Sequence, residues 1–524
     1  MQCLVLEAVR EPKSINHVAT RIRANKTQWA GLSPAATEHK VLSFIPYLQS
    51  PPTHTQTGSA PASAAASTFD VAEDESHKAA PVTSLTDPHG ARRWNSNLVQ
   101  LSGKNRALNE FSVERLGEEV QNNLVMLHGY GAGLGFFYRN FEALSQAPGW
   151  KVYALDMLGM GRSTRPPFKI HAKDREGKIK EAENWFIDAL EEWRIKRGIE
   201  RFTLLGHSLG GYMATAYALK YPGRLDKLIL ASPVGIPEDP YAMTSDLPEN
   251  NDSGTVNEVA TSSNDVMNGD QQAPRDKNNF LNAKGKNEAA GASSEPQRRP
   301  YPKWLTTLWD ANISPFSVVR WTGPLGPRFV SGWTSRRFGH LPQEEAAALH
   351  DYSYSLFRQK GSGEYALAYV LAPGAFARSP LIRRIQGVGR QWLTPHSTPT
   401  PDAPNQEPSS NPSTSSQSLD REGGPARKRE TGIPVVLMYG SHDWMDVNGG
   451  YAAKEKLKEA KQKAMQNASE EERKKENGSA KVVIIRNAGH HLYLEGDKQF
   501  NEVMLEEMAE TAKWTKAHPV NPSA

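Results

Sequence analysis

Three short segments, far apart in the chain, carry the residue types that acyl-transfer chemistry needs. The first is Gly206-His207-Ser208-Leu209-Gly210. A serine hydroxyl is a weak nucleophile at neutral pH and needs a neighbouring base. Glycines two positions before and after it permit a turn too sharp for side chains, which presents the serine at a helix N-terminus. The second segment is Gly440-Ser441-His442-Asp443-Trp444-Met445-Asp446, and the third is Asn487-Ala488-Gly489-His490-His491. Serine, then carboxylate, then histidine is one of the chain orders that build a nucleophile–base–acid relay. Ser208 is therefore the expected nucleophile. His490, after the small pair Ala488-Gly489, is the expected base, and His491 reads as a core or surface histidine. Asp443 lies nearer its strand and is the expected orienting carboxylate. Asp446 is its rival, and either carboxylate could instead cap a helix beginning near Gly449.

A serine attack on an acyl carbonyl develops an oxyanion, and each backbone N–H aimed at it is worth roughly 3–4 kcal/mol of barrier. His128-Gly129-Tyr130-Gly131-Ala132-Gly133 follows an apolar run and is a candidate source of one donor, the Tyr130 N–H; the Leu209 N–H would be the other. Gly159-Met160-Gly161-Arg162-Ser163 lacks the third glycine of a dinucleotide fingerprint, since Thr164 stands there, so it reads as a tight turn beside the site. The single cysteine, Cys3, permits no intrachain disulfide or Cys-based zinc site, and no H-E-x-x-H occurs. No metal or cofactor is expected.

These segments need elements to hold them. Short apolar runs at 124–127, 151–156, 202–205, 227–232, 435–439 and 482–485 have the character of buried parallel strands. Helical patterns lie between and after them, at 183–196, 209–220 and 500–514. Alternating β and α elements predict an α/β fold: a mostly parallel central sheet with helices on both faces. Right-handed crossovers then bring the strand C-termini, and the candidate residues after them, to one edge.

The chain has 524 residues, but only 38% are apolar and mean hydropathy is −0.61, so polar tracts dilute an ordinary core. Residues 51–92, 243–299 and 393–431 bury too little apolar area to fold and read as disordered insertions. They divide the chain into an N-terminal segment (1–50), a first core part (93–242), a lid (300–392) and a second core part (432–520). Residues 454–475 read as a solvated helix running into a loop. With 62 Lys+Arg against 58 Asp+Glu, charge gives no support to a nucleic-acid partner. No apolar stretch is long enough to span a membrane and no secretory signal is evident. Residues 14–27 are basic with helical spacing; they read as a plain surface helix or a disordered tail, or as a mitochondrial import signal, which Glu7 and Glu11 oppose.

Residues 298–390 differ from the rest. They carry a local balance of +8 where the whole chain is +4. Trp304, Trp309, Trp321 and Trp333 fall among residues 300–340, out of 12 tryptophans in the chain. An aromatic, basic lid between nucleophile and acid suits an amphiphile with an anionic headgroup at a membrane surface, bound peripherally. The oligomeric state is not specified.

As a set, GHSLGGYMATAYALKYPGRLDKLILASPVGIP, HGYGAGLGFF, DMLGMGRSTRP, YGSHDWMD and AGHHLYLE resemble α/β-hydrolases of the phospholipid-remodelling group. That group includes fungal cardiolipin-specific deacylases, animal N-acyl-phospholipid lipases and a lipase coactivator. The resemblance runs from about Trp29 to Trp514, interrupted by the polar tracts. It implies the α/β-hydrolase fold, a serine esterase acting on phospholipid acyl chains, and membrane-associated work, with cardiolipin remodelling in mitochondria among the outcomes. Members of the group also carry a His-x4-Asp element linked to lysophosphatidate acyltransferase activity. Here Glu495 stands five residues after His490, with Asp497 two further on, so acyl transfer is an alternative activity. The coactivator has Asn at the nucleophile position; Ser208 favours an enzyme over a non-catalytic lipid-surface scaffold. Members of the group match Asp443 in some cases and Asp446 in others, which keeps both open.

Overall fold

The computed structural model describes residues 33–48, 50–52, 54, 82–84, 87–238, 309, 312–323, 326–372, 375–393, 428–466 and 468–519. The basic segment 14–27, the tract 243–299, Trp304 and most of 51–92 and 393–431 lie outside the described residues.

Nine strands form one sheet in the order β1-β2-β3-β5-β4-β6-β7-β10-β11. They are β1 (Val82–Ser84), β2 (Arg92–Gln100), β3 (Ala107–Arg115), β4 (Asn122–Leu127), β5 (Trp150–Leu155), β6 (Phe202–His207), β7 (Leu225–Ala231), β10 (Pro434–Gly440) and β11 (Ser479–Ile485). A small hairpin supplies β8 (Leu371–Ala372) and β9 (Phe376–Ala377). From β5 through β4, β6, β7 and β10 to β11 every pairing is parallel. The α/β fold with a mostly parallel sheet is thus the observed one, and all six predicted apolar runs are strands of its parallel part.

Antiparallel β1, β2 and β3 extend the sheet at one edge. Here the expectation for residues 51–92 needs correction at its described part. β1 pairs with β2, His54 is buried beside Ser96 Oγ (3.0 Å), and the fully buried Arg92 pairs with Asp87. Average composition conceals such short segments, because a polar residue folds wherever a distant partner satisfies it.

Helices cover both faces. They include α1 (Pro34–Leu42), α2 (Tyr138–Leu144), α3 (Arg175–Lys196), α4 (Leu209–Lys220), α5 (Pro315–Trp321), α6 (Gly326–Phe338), α7 (Gln343–Phe357), α8 (Val447–Gln466) and α9 (Asp497–Ala517). Asp174 caps α3 by accepting from the Gly177 N–H (2.8 Å), and Ile179, Phe186 and Trp193 line its buried face. One core lies under α3, α4 and α8, with Trp193, Phe202, Leu204 and Tyr217 among its members. The other lies under α2 and α9 and includes Phe111, Phe137, Met438 and Met504. Residues 454–475 are the exposed end of α8 and a short helix, Glu470–Lys475, with a Ser469–Glu472 capping box.

The parallel strands end at Leu127, Leu155, His207, Ala231, Gly440 and Ile485. All six C-termini share one edge, and the lid helices α5 to α7 belong to the segment between β7 and β10.

Candidate active site

At the end of β6 the chain turns directly into α4, and Ser208 is the turn. Its φ of 53° and ψ of −116° are unusual for a residue with a side chain and store roughly 1–3 kcal/mol of strain. The turn closes because Gly206 has no Cβ: one there would lie 2.3 Å from the Gly210 carbonyl oxygen. The N–H groups of Gly211 and Tyr212 both donate to the Ser208 carbonyl (2.9 and 3.2 Å), which starts the helix immediately after the candidate nucleophile.

Two loops from distant sequence reach this serine. Ser208 Oγ lies 3.0 Å from His490 Nε2, across 282 positions of sequence. With Nε2 accepting from the serine, the proton of neutral His490 sits on Nδ1. That nitrogen is 3.3 Å from Asp443 Oδ1 and 2.7 Å from Ser232 Oγ. Asp443 is 1% exposed, and its carboxylate also accepts from the Met445 and Gly440 N–H groups (3.1 and 3.4 Å). Gly440 permits the approach of the two loops, since a Cβ on it would lie 2.2 Å from the Gly489 carbonyl oxygen. Asp446 instead accepts from the Asn448 N–H (3.0 Å) and caps α8, which begins at Val447 rather than near Gly449.

The histidine loop is held from behind. His207 Nε2 donates to the His490 carbonyl (3.0 Å), and burial keeps the His207 imidazole well below the ordinary histidine range. Glu495 accepts from the N–H groups of Gly489 (2.5 Å) and His491 (3.3 Å), the two neighbours of His490. The carboxylate at this position therefore braces the His490 loop. His491 is a core residue, 5% exposed and packed near Phe136 and His207.

The loop after β4 lies against the nucleophile: a Cβ on Gly129 would be 3.0 Å from Ser208 Cβ. His128 accepts from the Met157 N–H through Nε2 (3.1 Å) and donates from Nδ1 to the Gly129 carbonyl (2.7 Å). Burial lowers its pKa to about 4, so it keeps this neutral tautomer. Fixing the Gly129 carbonyl fixes the Gly129–Tyr130 peptide plane, and in a trans peptide the Tyr130 N–H points the opposite way. Leu209 is the first residue of α4, so its N–H is among those with no acceptor inside the helix. The turn 159–163 leans on the same loop: Asp156 accepts from the Leu134 N–H (2.7 Å) and from the Arg162 N–H (2.7 Å).

All three relay residues named from the sequence are thus brought together, and both oxyanion-hole candidates lie on segments adjoining Ser208. Ser232 was missed. Its signal was its position as the last residue of the run 227–232, at the same sheet edge as Ser208. Among the described residues no cluster of His, Cys, Asp and Glu could hold a metal ion, and no helix is long and apolar enough to cross a membrane.

Comparison with known proteins agrees with the geometry. Residues 122–295 match the family described as the alpha/beta hydrolase fold. The chain is 31% identical over 382 residues to the 1-acylglycerol-3-phosphate O-acyltransferase of Arabidopsis thaliana, covering 71% of this chain and 66% of that protein. It is 30% identical over 392 residues to the probable 1-acylglycerol-3-phosphate O-acyltransferase of Oryza sativa, covering 71% and 67%. The chain spans about two thirds of the length of both plant relatives. It is also 26% identical over 388 residues to the human (lyso)-N-acylphosphatidylethanolamine lipase, covering 73% and 78%.

Proposed function

The chain belongs to the α/β-hydrolase fold family, and on that premise we propose that it is a serine hydrolase that removes fatty-acyl chains from phospholipids through an acyl-enzyme. The observation that carries this reading is the continuous Ser208–His490–Asp443 contact, at 3.0 and 3.3 Å. Ser208 Oγ attacks the acyl carbonyl while His490 Nε2 takes its proton. His490 then gives that proton to the leaving lysolipid oxygen, and Asp443 stabilises the imidazolium. The N–H groups of Tyr130 and Leu209 bind the oxyanion. Water, deprotonated by His490, attacks the acyl carbonyl; the bond to Ser208 Oγ breaks, His490 returns the proton to that oxygen, and the fatty acid leaves.

Phospholipid is the substrate class supported by the relatives' names and by the lid. Trp321, on α5, is 68% exposed, as suits a residue that enters a membrane interface. Work at a membrane surface, including the mitochondrial one and cardiolipin remodelling, belongs to the same proposal and draws on the basic segment 14–27. Ser208→Ala is expected to abolish acyl-ester hydrolysis and fluorophosphonate labelling while leaving the thermal transition in place. Retained turnover in that variant refutes the mechanism.

A second reading replaces water by a lysophospholipid as acceptor, and the names of the two plant relatives favour it. Incubation with acyl-CoA and lysophosphatidate, followed by detection of new diacyl product, separates the two. A non-catalytic scaffold would bind liposomes and never label with fluorophosphonate.

A further inference from the structure

Ser232 follows β7 directly. It is fully buried, and its φ of 48° lies in the left-handed region, where a residue with a side chain is strained. Backbone hydrogen bonds hold it there. Its own N–H donates to the Met438 carbonyl of β10 (2.7 Å). On one side of it the Ala231 carbonyl accepts from the Ser208 N–H (3.0 Å), and on the other the Val234 N–H donates to the Ser208 carbonyl (3.3 Å). The turn that carries Ser232 is thus fastened to the backbone of Ser208 from both ends.

Among the described residues the Ser232 hydroxyl has one hydrogen-bond partner, His490 Nδ1 at 2.7 Å. Asp443 Oδ1 is 3.3 Å from the same nitrogen and also accepts from the Met445 N–H (3.1 Å). With Nε2 turned to Ser208 Oγ at 3.0 Å, the single proton of the neutral ring is on Nδ1. One proton between two acceptors favours the nearer. A contact of 3.3 Å is also long for a hydrogen bond to a charged oxygen, which usually spans about 2.7–2.9 Å.

A hydroxyl can donate as well as accept. Donation from Ser232 to Nδ1 would put the ring proton on Nε2 and leave Ser208 without a base, so the productive arrangement has Ser232 accepting. The two acceptors then suit different moments of the reaction. The neutral hydroxyl holds the neutral imidazole, and the carboxylate gains most once the ring has become imidazolium.

We propose that Ser232 is a positioning residue: its hydroxyl takes the Nδ1 proton of resting His490 and ties the imidazole to the backbone frame of Ser208, leaving Asp443 to answer the charge that develops during proton transfer. This rests on the serine-hydrolase reading above and deepens it.

The test uses the full chain and a soluble substrate, a short-chain nitrophenyl ester. Ser232→Ala is expected to lower kcat by about 10- to 100-fold with KM within about twofold. Ser232→Gly separates the hydroxyl from the backbone. Glycine adopts a positive φ without strain, so its thermal transition should lie at or above that of Ser232→Ala, while its kcat falls as far. A kcat within about twofold of the unsubstituted protein in Ser232→Ala overturns the proposal. So does recovery of activity in Ser232→Gly, because the position would then matter only for its backbone. A spectroscopic arm needs no turnover: the low-field proton signal of His490 Nδ1, assigned by its loss in His490→Gln. Ser232→Ala should move or broaden that signal. An unmoved signal, or none in the unsubstituted protein, counts against a held Nδ1 proton. If the signal responds to Ser232 but the unsubstituted chain neither hydrolyses esters nor labels with fluorophosphonate, the positioning role stands and the hydrolase reading falls. If the chain hydrolyses esters and neither the signal nor kcat responds to Ser232, the hydrolase reading stands and the positioning role falls.

Discussion

Glu495 offers the sharpest test of how His490, the proposed base, is held, and of whether the acidic residue after it serves acyl transfer. Its two oxygens accept from the Gly489 N–H at 2.5 Å and the His491 N–H at 3.3 Å, so both neighbours of His490 are tied to one side chain. Hydrogen bonds to a charged group contribute roughly 1.5–3 kcal/mol each. The shorter contact belongs near the top of that range and the longer near the bottom. Glu495→Ala removes both and is expected to cost about 4–5 kcal/mol of stability at most. A displacement of His490 by about 1 Å costs roughly 100-fold in rate. The expected result is a 10- to 100-fold fall in kcat for ester hydrolysis with KM within about twofold. Glu495→Gln keeps one acceptor oxygen but turns a donor toward the second N–H, so its loss should lie between Glu495→Ala and the unsubstituted protein. Steady-state kinetics on a soluble acyl ester read kcat and KM separately, and thermal unfolding reads the stability. Unchanged hydrolysis in Glu495→Ala refutes the bracing role. Loss of transfer to lysophosphatidate with hydrolysis intact refutes it differently, by showing that the carboxylate meets the acceptor.

Three other outcomes follow from named contacts. Asp443→Asn should lower kcat by about 10²- to 10⁴-fold through loss of the imidazolium partner, whereas Asp446→Asn should cost less than about threefold; equal effects would reverse the assignment. His350, buried in the lid against Thr334 Oγ1 (2.7 Å), has its pKa lowered by burial to about 4, against 6.5 unperturbed. The unfolded chain then binds the proton more readily between these values, so stability falls as pH drops from about 6.5 towards 4. His350→Gln should flatten that slope by up to about 3 kcal/mol at pH 4, and an unchanged slope in thermal unfolding contradicts the buried neutral ring. Glu38→Ala leaves Arg162, 1% exposed and paired with Glu38 at 2.5 Å, without its carboxylate. Unfolding by denaturant should show a loss of about 3–5 kcal/mol, largely recovered in Glu38→Leu/Arg162→Met, and a loss below about 1 kcal/mol counts against a buried ion pair.

The parallel half of the sheet was legible because its strands are buried on both faces and read as unbroken apolar runs. β2 and β3 were not. Their sequences, RRWNSNLVQ and ALNEFSVER, bury Arg92, Ser96, Asn109 and Glu110, and nothing local predicts that. Glu110 is satisfied by Arg197 Nε (2.7 Å) and Trp193 Nε1 (2.8 Å), on or just beyond a helix more than eighty positions away. The site divides along the same line. Ser208, His490 and the oxyanion loop stand where strand ends meet glycine-rich turns, a local signal. The choice between Asp443 and Asp446 depended on where α8 begins, because a helix starting at Val447 takes Asp446 as its cap. Ser232 and Glu495 act on His490 through distances that no spacing encodes.

The lid is attached by contacts of different kinds, and on the proposed lipid reading this bears on where an acyl chain would enter. Helix α7 is tied to the core by polar contacts: the Tyr352 hydroxyl donates to Glu38 (3.2 Å) and accepts from the Gly135 N–H (3.4 Å), and Thr37 Oγ1 meets Ser355 Oγ at 2.8 Å. Glu38 in turn pairs with Arg162, and Asn109 joins it to Asp156, which holds the oxyanion loop through Leu134. Burial raises the carboxyl pKa of both Glu38 and Asp156, the sign of a site closed to water. Lifting α7 would break these bonds and hydrate charged groups that are arranged only for each other. Helices α5 and α6 add ring contacts, with Phe316 on Tyr130 and Phe338 on Phe136, while Arg320 of α5 is also tied to Glu364 (2.7 Å) and Thr334 of α6 to His350 (2.7 Å). Apolar contacts of that kind can be exchanged for acyl chain without leaving a charge unpaired. On the proposed lipid reading, entry that exchanges ring contacts of α6 for acyl chain would leave the buried Glu38–Arg162–Asp156 network intact.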